Sequence, residues 1–282
     1  MIVVNTIEEL QIELNAHRQD GKRIGFVPTM GNLHQGHLSL VDVAKKHADI
    51  VVVSLFVNPT QFGPNEDFDS YPRTLDADCE KLESQGTDIV FAPSTEEVYP
   101  KWPNITSVHV AELGKNHCGA SRPGHFDGVT TVVSKLFNMV HPDCAIFGEK
   151  DFQQITIIRR MVSDLNFPVE IIGAPIVREV NGLAMSSRNG YLSAEEKDHA
   201  SNLYKTLQWA KIEIESGRRD FRELEKEANQ KLVDLDFVPD YFNITNQDTL
   251  DLAEAEDKKL VILLASFMGK VRLIDNIQLI LD

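Results

Sequence analysis

Two histidines three residues apart, His34 and His37 in LHQGH, are the first residues of the chain whose type and spacing suggest chemistry. Side chains at i and i+3 share a helix face, so both rings can point the same way. Imidazole N–H groups held there can donate to a phosphoryl oxygen and stabilise charge that grows in a transition state. The bare pair is equally read as a surface or helix-capping pair. It also fits a metal, although a metal-binding helix needs a third ligand nearby and none is evident in the sequence. The residues before it favour an anion. GFVPTMGN passes from a short apolar run, through a break at Pro28 and a small-residue turn at 29–31, to a helix start. That geometry aims backbone N–H groups and a positive helix end at a phosphate.

Four further stretches carry polar groups with few structural duties. FVNPTQF offers Asn58 and Gln61, uncharged donor–acceptors suited to orienting a polar small molecule. Asn-Pro is also an ordinary turn opener, which explains Asn58 more readily than Gln61. FGEKDFQQ places Lys150 where a helix begins, a position the dipole reserves for anions, so a phosphate beside it would account for the cation. Gly148 admits close backbone approach, and Asp151 is placed to bond ribose hydroxyls. LAMSSRNGYLS gathers Ser186, Ser187 and Arg188 into an anion grip, since a guanidinium binds phosphate bidentately. In SRPGHFDGV, Arg122 and His125 either face a substrate or shape the loop. Asp76 and Asp78 could help hold Mg²⁺ with substrate phosphates, though Asp76 is better explained as an acid complementing a helix dipole. GxxxxGK[ST] and GxGxxG are both absent from the sequence, so any nucleotide is held another way.

The elements that must position these groups alternate. Residues 6–16 read as a helix with a Thr6/Glu9 capping box. Strands are expected at 24–27, 49–57, 88–92, 143–147 and 169–172, and helices at 36–47, 74–85, 128–140 and 150–165. The run DIVVVSLFV is apolar enough to be buried on both faces, as in a parallel sheet. Strand–helix alternation predicts an α/β, Rossmann-like, doubly wound parallel sheet, and the polar loops follow its strands, where ligands of such sheets bind. Beyond Val177 come two charged amphipathic helices, at 194–215 and 221–235. Strands follow at 241–244, 260–267 and 270–274, the last two joined across Met268-Gly269. The expectation is a first domain over 1–177 and a smaller α+β C-terminal domain over 178–282.

The bulk numbers narrow the partners. With 28 Lys and Arg against 43 Asp and Glu, the net charge is −15 over 282 residues. A general nucleic-acid or anionic-membrane surface would want the opposite sign. The first residues have no signal-peptide pattern, and no apolar run approaches membrane-spanning length. Cys79, Cys118 and Cys144 lie far apart, which suits free thiols in a reducing, cytoplasmic setting.

Taken together, VPTMGNLHQGH, FVNPTQF, YPRT, GHFDGV, FGEKDFQQ and MSSRNGYLS, in this order and spacing, resemble the pantoate–β-alanine ligase family. HQGH with MSSRN is similar to the HxGH and KMSKS-like signatures of class I nucleotidyltransferases. The resemblance implies condensation of (R)-pantoate with β-alanine, driven by ATP with Mg²⁺, through a pantoyl adenylate. It implies ATP contacts from Met30, Gly31, Asn32, Leu33, His34, Gln35, Gly36 and His37, with His37 catalytic and His34 beside it on the phosphates. Gly148, Glu149, Lys150 and Asp151 match the nucleotide-binding GEKD, Val177 a backbone contact to adenine, and Met185, Ser186, Ser187 and Arg188 a mobile phosphate-gripping loop. Gln61 and Gln154 match the pair that holds pantoate, with Asn58 beside them and Gln61 also near β-alanine. Asp78 is the candidate Mg²⁺ carboxylate. A homodimer through the first domain, and a second domain that closes over the site, also follow from the resemblance.

Two other readings share some features. One is a nucleotidylyltransferase that releases its adenylated product, and the other a non-catalytic nucleotide-binding module. Gln61 and Gln154 with a compact second domain favour the ligase over the first. His34, His37, Lys150 and Arg188 together argue against the second, because a sensor needs no transition-state donors.

Overall fold

The apolar run of DIVVVSLFV becomes β3 (Ile50–Leu55), a strand flanked on both sides and buried along most of its length. In the computed structural model, which describes residues 1–64 and 66–281, it lies within a six-stranded parallel sheet. The other strands are β1 (Ile2–Val4), β2 (Ile24–Thr29), β4 (Ile89–Phe91), β5 (Cys144–Gly148) and β6 (Glu170–Ala174), in the order β1-β4-β3-β2-β5-β6. The connecting helices are α1 (Ile7–Gln19), α2 (Gln35–His47), α3 (Leu75–Ser84), the single turns α4 (Thr95–Val98) and α5 (Cys118–Ser121), α6 (His125–Val140) and α7 (Phe152–Asp164). This is the Rossmann-like doubly wound sheet. Strand order reverses between β2 and β5, so their carboxyl ends form the switch point where such sheets bind ligands. The sequence after β2 is the His34/His37 stretch, and β5 ends on Gly148, the first residue of GEKD.

One part of the core of this unit is built from Val27, Val51, Val53, Val90 and Ile146 of the strands against Leu40, Val41 and Ala44 of α2. Gly25 permits that approach, since a Cβ there would lie 2.8 Å from the Ala48 Cβ. The capping box at Thr6 forms as expected.

The local pattern misleads at several places. β2 does not stop before Pro28. It continues to Thr29, with Pro28 opposite Ser54 of β3. Pairing with β5 ends at Phe26, so a residue without an N–H is tolerated beyond it. α6 starts at His125 rather than 128, because Gly124 takes a left-handed conformation at φ 79° that turns the chain into the helix. β1 is not evident from the pattern. Its three residues pair in parallel with β4 at the sheet edge.

The C-terminal part holds α8 (Ala194–Ala200), α9 (Asn202–Glu215) and α10 (Phe221–Asp234). They accompany an antiparallel sheet of β7 (Val238–Asn246), β8 (Lys259–Met268) and β9 (Val271–Ile280), in the order β7-β8-β9. α10 packs on β7 and α9 on β8 and β9, enclosing Leu207, Leu224, Phe242, Ile262 and Leu264. The expected helix over 194–215 is two helices. Ser201 Oγ donates to the Asp198 carbonyl at 2.6 Å and Asn202 Nδ2 to that of His199 at 2.9 Å, local bonds that compete with helix continuation. β8 and β9 turn back tightly, with Met268 opposite Val271 and Gly269 at φ 57°.

The chain divides into two compact units. The first comprises Met1–Ala111, Arg122–Glu149 and Ile157–Pro175, and the second Glu112–Ser121, Lys150–Thr156 and Ile176–Asp282. The division at 175/176 lies two residues from the expected 177/178. The two earlier segments that group with the second unit are not separable by pattern along the chain.

Candidate active site

In the first unit the histidine pair is itself a helix cap. His34 is the N-cap of α2 and its Nδ1 accepts from the Gly36 N–H at 3.1 Å, while His37 Nδ1 accepts from the His34 N–H at 3.3 Å. The rings stand 4.1 Å apart at a tilt of 39°. A nitrogen that accepts an N–H carries no proton, so each neutral ring has its own proton on Nε2. The structure shows the capping reading of HxxH, and the cap is compatible with the chemical one. The cap thus favours the Nε2–H tautomer of both rings at the start of a helix.

The turn before the cap is held by Asp78 of α3. Its Oδ2 accepts from the Asn32 N–H at 2.8 Å and the Thr74 hydroxyl at 3.0 Å, and its Oδ1 from the Leu33 N–H at 2.8 Å. Lys81 donates to the Leu33 carbonyl at 2.8 Å, 3.7 Å from the Asp78 carboxylate. Gly31 and Asn32 take positive φ of 80° and 51°, which turns consecutive N–H groups toward that carboxylate. Asp78 is 1 % exposed. The expected role as Mg²⁺ ligand does not fit this environment, because both oxygens are committed to the turn. Among the described residues, no group of three or more His, Cys, Asp or Glu could hold a metal ion.

Gln61 closes the 3₁₀ turn Pro59–Gln61 after β3. Its Nε2 points to the Met30 sulfur at 3.2 Å and its Oε1 accepts from Asn58 Nδ2 at 3.0 Å. Asn58, expected on the substrate, is 1 % exposed and fully engaged. Its Nδ2 also donates to the Gly128 carbonyl at 3.2 Å, and its Oδ1 receives the Thr60 and Tyr99 hydroxyls, each at 2.9 Å. Burial pushes the Tyr99 phenol up to about 12, so it stays a donor throughout the neutral range. Asn58 thus sets which end of the Gln61 amide is a donor. Arg122 and His125 also serve this turn. His125 Nδ1 donates to the Gln61 carbonyl at 2.8 Å, and Arg122 grips Glu66 through two bonds of 2.6 and 2.5 Å. Burial alone would raise the Glu66 carboxyl, but Arg122 holds it below its usual value. Of the two sequence readings, these residues shape the loop.

In the second unit Lys150 and Asp151 occupy the 3₁₀ turn Glu149–Asp151 that leads into α7, with Nζ 3.5 Å from the Asp151 carboxylate. Gln154 is half-buried. Its neighbour Gln153 faces inward, and its amide holds the Leu113 and Asn116 carbonyls at 2.8 Å each and the Cys118 N–H at 3.0 Å. Residues 177–185 form a short hairpin. Val177 accepts from the Met185 N–H at 3.0 Å, and Glu179 donates to the Leu183 carbonyl at 2.8 Å. Ser186 then caps the 3₁₀ turn Ser187–Tyr191, its Oγ accepting from the Arg188 N–H at 3.3 Å. Asn189, which carries no signal in the sequence, anchors this turn from below by donating to the Ala184 carbonyl at 3.0 Å.

The structure thus brings Met30, His34, His37, Asn58, Gln61 and Asp78 into one unit. It places Lys150, Asp151, Gln154, Val177, Met185, Ser186, Ser187 and Arg188 in the other.

Comparison with known proteins agrees along the whole length. The profile of the family described as Pantoate-beta-alanine ligase matches residues 2–278. The chain is 55% identical over 280 residues to a pantothenate synthetase of Marinobacter nauticus, covering 99% of each. It is 55% identical over 279 residues to one of Hahella chejuensis, covering 99% of each. It is similar to the crystal structure of the Thermus thermophilus pantothenate synthetase, with TM-score 0.92, 44% identity and coverage of 98% of this chain and 99% of that one. It is also similar to a Francisella tularensis pantoate-beta-alanine ligase complexed with beta-gamma ATP and beta-alanine, with TM-score 0.81, 36% identity and coverage of 98% and 97%.

Proposed function

The chain belongs to the pantoate–β-alanine ligase family, and from that membership we propose how its residues carry an ATP-dependent ligation of pantoate to β-alanine. A carboxylate is a poor acylating agent. The pantoate carboxylate attacks the α-phosphorus of ATP, expels pyrophosphate and becomes a pantoyl adenylate. The β-alanine amine then attacks the acyl carbon, AMP leaves with the bonding pair, and the amine proton is lost as the amide of pantothenate forms.

The observation that carries the assignment of roles is the pair of backbone N–H bonds to the Nδ1 atoms of the histidine cap. With both Nδ1 atoms accepting backbone N–H groups, His34 and His37 present Nε2–H to phosphate oxygens. They stabilise the charge that accumulates as the α-phosphorus is attacked. Lys150 adds a cation to the phosphates, Asp151 accepts from the ribose hydroxyls, and the backbone at Val177 meets adenine. Met185 and the Ser186–Ser187–Arg188 segment take the departing pyrophosphate. Gln61 and Gln154 orient pantoate, with Asn58 acting through Gln61. Any Mg²⁺ that the reaction uses would come with ATP and not from a site at Asp78, whose oxygens hold the turn. A homodimer through the first unit is supported by its apolar edge strand, where Ile2 and Val3 are both exposed. A cytoplasmic setting agrees with three free cysteines.

The test follows AMP. In the presence of ATP, Mg²⁺ and pantoate, the wild type should release AMP only when β-alanine is added. Lys150→Ala should lower the rate by about a hundredfold or more while circular dichroism stays native. Near-wild-type turnover of that variant would remove Lys150 from the phosphates. A stable released adenylate would replace the ligase by a nucleotidylyltransferase. Ultracentrifugation tests the dimer, and a monomer at micromolar concentration would refute it.

A further inference from the structure

Two segments assigned here to ATP, Lys150 and the hairpin over 177–185, are far apart in sequence yet tied to consecutive residues of one strand. β9 carries Asp275 and Asn276, which are 5 % and 2 % exposed. Adjacent strand residues face opposite ways, so the pair can hold two different partners. Asp275 receives Arg178 as a bidentate pair, Nη1 to Oδ2 at 2.6 Å and Nη2 to Oδ1 at 2.9 Å. The same guanidinium donates to the Gly182 carbonyl at 3.0 Å, binding the two arms of the hairpin, and lies 3.6 Å over the Tyr204 ring. On the other side, Asn276 Nδ2 donates to the Lys150 carbonyl at 2.9 Å. The Asn276 N–H returns to Asp275 Oδ1 at 2.8 Å, which locks the dipeptide itself. Burial pushes the Asp275 carboxyl up, while Arg178 and the Asn276 N–H pull it back, so the carboxylate depends on its partners.

We propose that Arg178, Asp275 and Asn276 are positioning residues that set the register between the adenine-side hairpin and the phosphate-side lysine, so that one ATP molecule can engage both. The inference rests on the assignment of Val177 and Lys150 to ATP. None of the three is a catalytic residue. Their effect is on how far apart two binding segments are held. A buried bidentate pair suits that duty, because it is directional as well as attractive.

A register has a signature that general weakening of the fold lacks. Fragments that use only one segment should be indifferent to it. The test uses the full-length Arg178→Met/Asp275→Leu double variant, which replaces the pair by apolar groups of similar size and leaves no buried charge unpaired. Asn276→Ala is used beside it, because it leaves the ion pair intact. Dissociation constants for ATP, adenosine and inorganic pyrophosphate are measured by calorimetry, with melting temperatures alongside. Both variants should bind ATP at least about tenfold more weakly, with adenosine and pyrophosphate held within about twofold of wild type. Their steady-state KM for ATP should rise while that for pantoate is unchanged. Wild-type ATP affinity in either variant overturns the proposal. Equal weakening of ATP and both fragments also overturns it, since that is the mark of a merely structural network. Lys150→Ala separates the underlying assignment. If it leaves ATP affinity intact, the assignment itself has failed. If it weakens ATP while the double variant does not, only the register has failed.

Discussion

Asp78 shows what a buried carboxylate does when it is surrounded by backbone N–H groups. Those donors face the site that a cation would have to share. Asp78→Asn keeps the shape and removes the charge, turning one acceptor oxygen into a donor aimed at an N–H. We expect a loss of about 1.5–3 kcal/mol of stability, measured by urea denaturation, and a fall in kcat as the His34 turn loosens. The Mg²⁺ concentration giving half-maximal rate should not move, and a rise in it would return Asp78 to the metal. The histidines, Gln61 and the GEKD and SSR motifs stand out in the sequence because side-chain type at short spacing marks them as candidates. The bonds that engage Asp78 and Asn58 do not show there because their partners are remote or are backbone atoms. The Asn32 and Leu33 amides lie 46 and 45 positions from Asp78. A string of residue types does not display such a bond.

At the scale of elements, the helix α6 and the turn bearing Gln61 are fitted to each other at one residue. A Cβ on Gly128 would stand 2.3 Å from the Thr60 carbonyl oxygen and 2.7 Å from the Gln61 Cα. Both are backbone atoms, so a side chain at 128 must push the turn. Gly128→Ala should cost about 1–3 kcal/mol by overpacking, despite the better helix propensity of alanine. Pantoate kcat/KM should fall with it, as Gln61 moves off its Asn58 and Met30 partners. Unchanged pantoate kinetics in a folded Gly128→Ala would show that Gln61 does not need this support. The element pattern itself is readable wherever apolar periodicity is long, as in β3 and α6. It fails where one atom decides the outcome. Those places are Pro28 beyond the end of β5 pairing, Ser201 and Asn202 bonding backward, and the short β1, which is a strand only because β4 lies beside it.

The molecule divides into two units, and each carries one of the chain's two tryptophans, Trp102 in the first and Trp209 in the second. The second unit also buries His117. Its Nε2 donates to the Leu250 carbonyl at 2.8 Å, and its Nδ1 accepts from the Asn243 amide at 2.8 Å. Burial holds this imidazole below its usual 6.5, with the Leu250 carbonyl and Asp251 opposing. A folded state that takes up the proton less readily than the unfolded chain is most favoured when neither is protonated. The contribution is therefore complete above about pH 6.5 and declines as pH falls through that value. In a Trp102→Phe background, the thermal transition seen by Trp209 should drop between about pH 7 and pH 5, and His117→Gln should flatten that slope. An equal slope in both would assign the acid sensitivity elsewhere. At this scale the sequence is clear about fold class and about the sign of the charge. It could not reveal that segments 112–121 and 150–156 group with the C-terminal unit, since that grouping rests on bonds such as His117 to the Leu250 carbonyl and Asn276 to the Lys150 carbonyl.

The histidine cap of α2 has a consequence for anyone breeding a hardier variant of this enzyme. Serine and aspartate are better N-caps than an imidazole, and aspartate also complements the helix dipole. A library screened only for survival of heating would be drawn toward Asp or Ser at position 34. Each such winner would lose, along with the imidazole, the phosphate donor proposed for this position. Heat resistance and turnover compete for the same side chain here, so a screen must reward both or leave the position fixed.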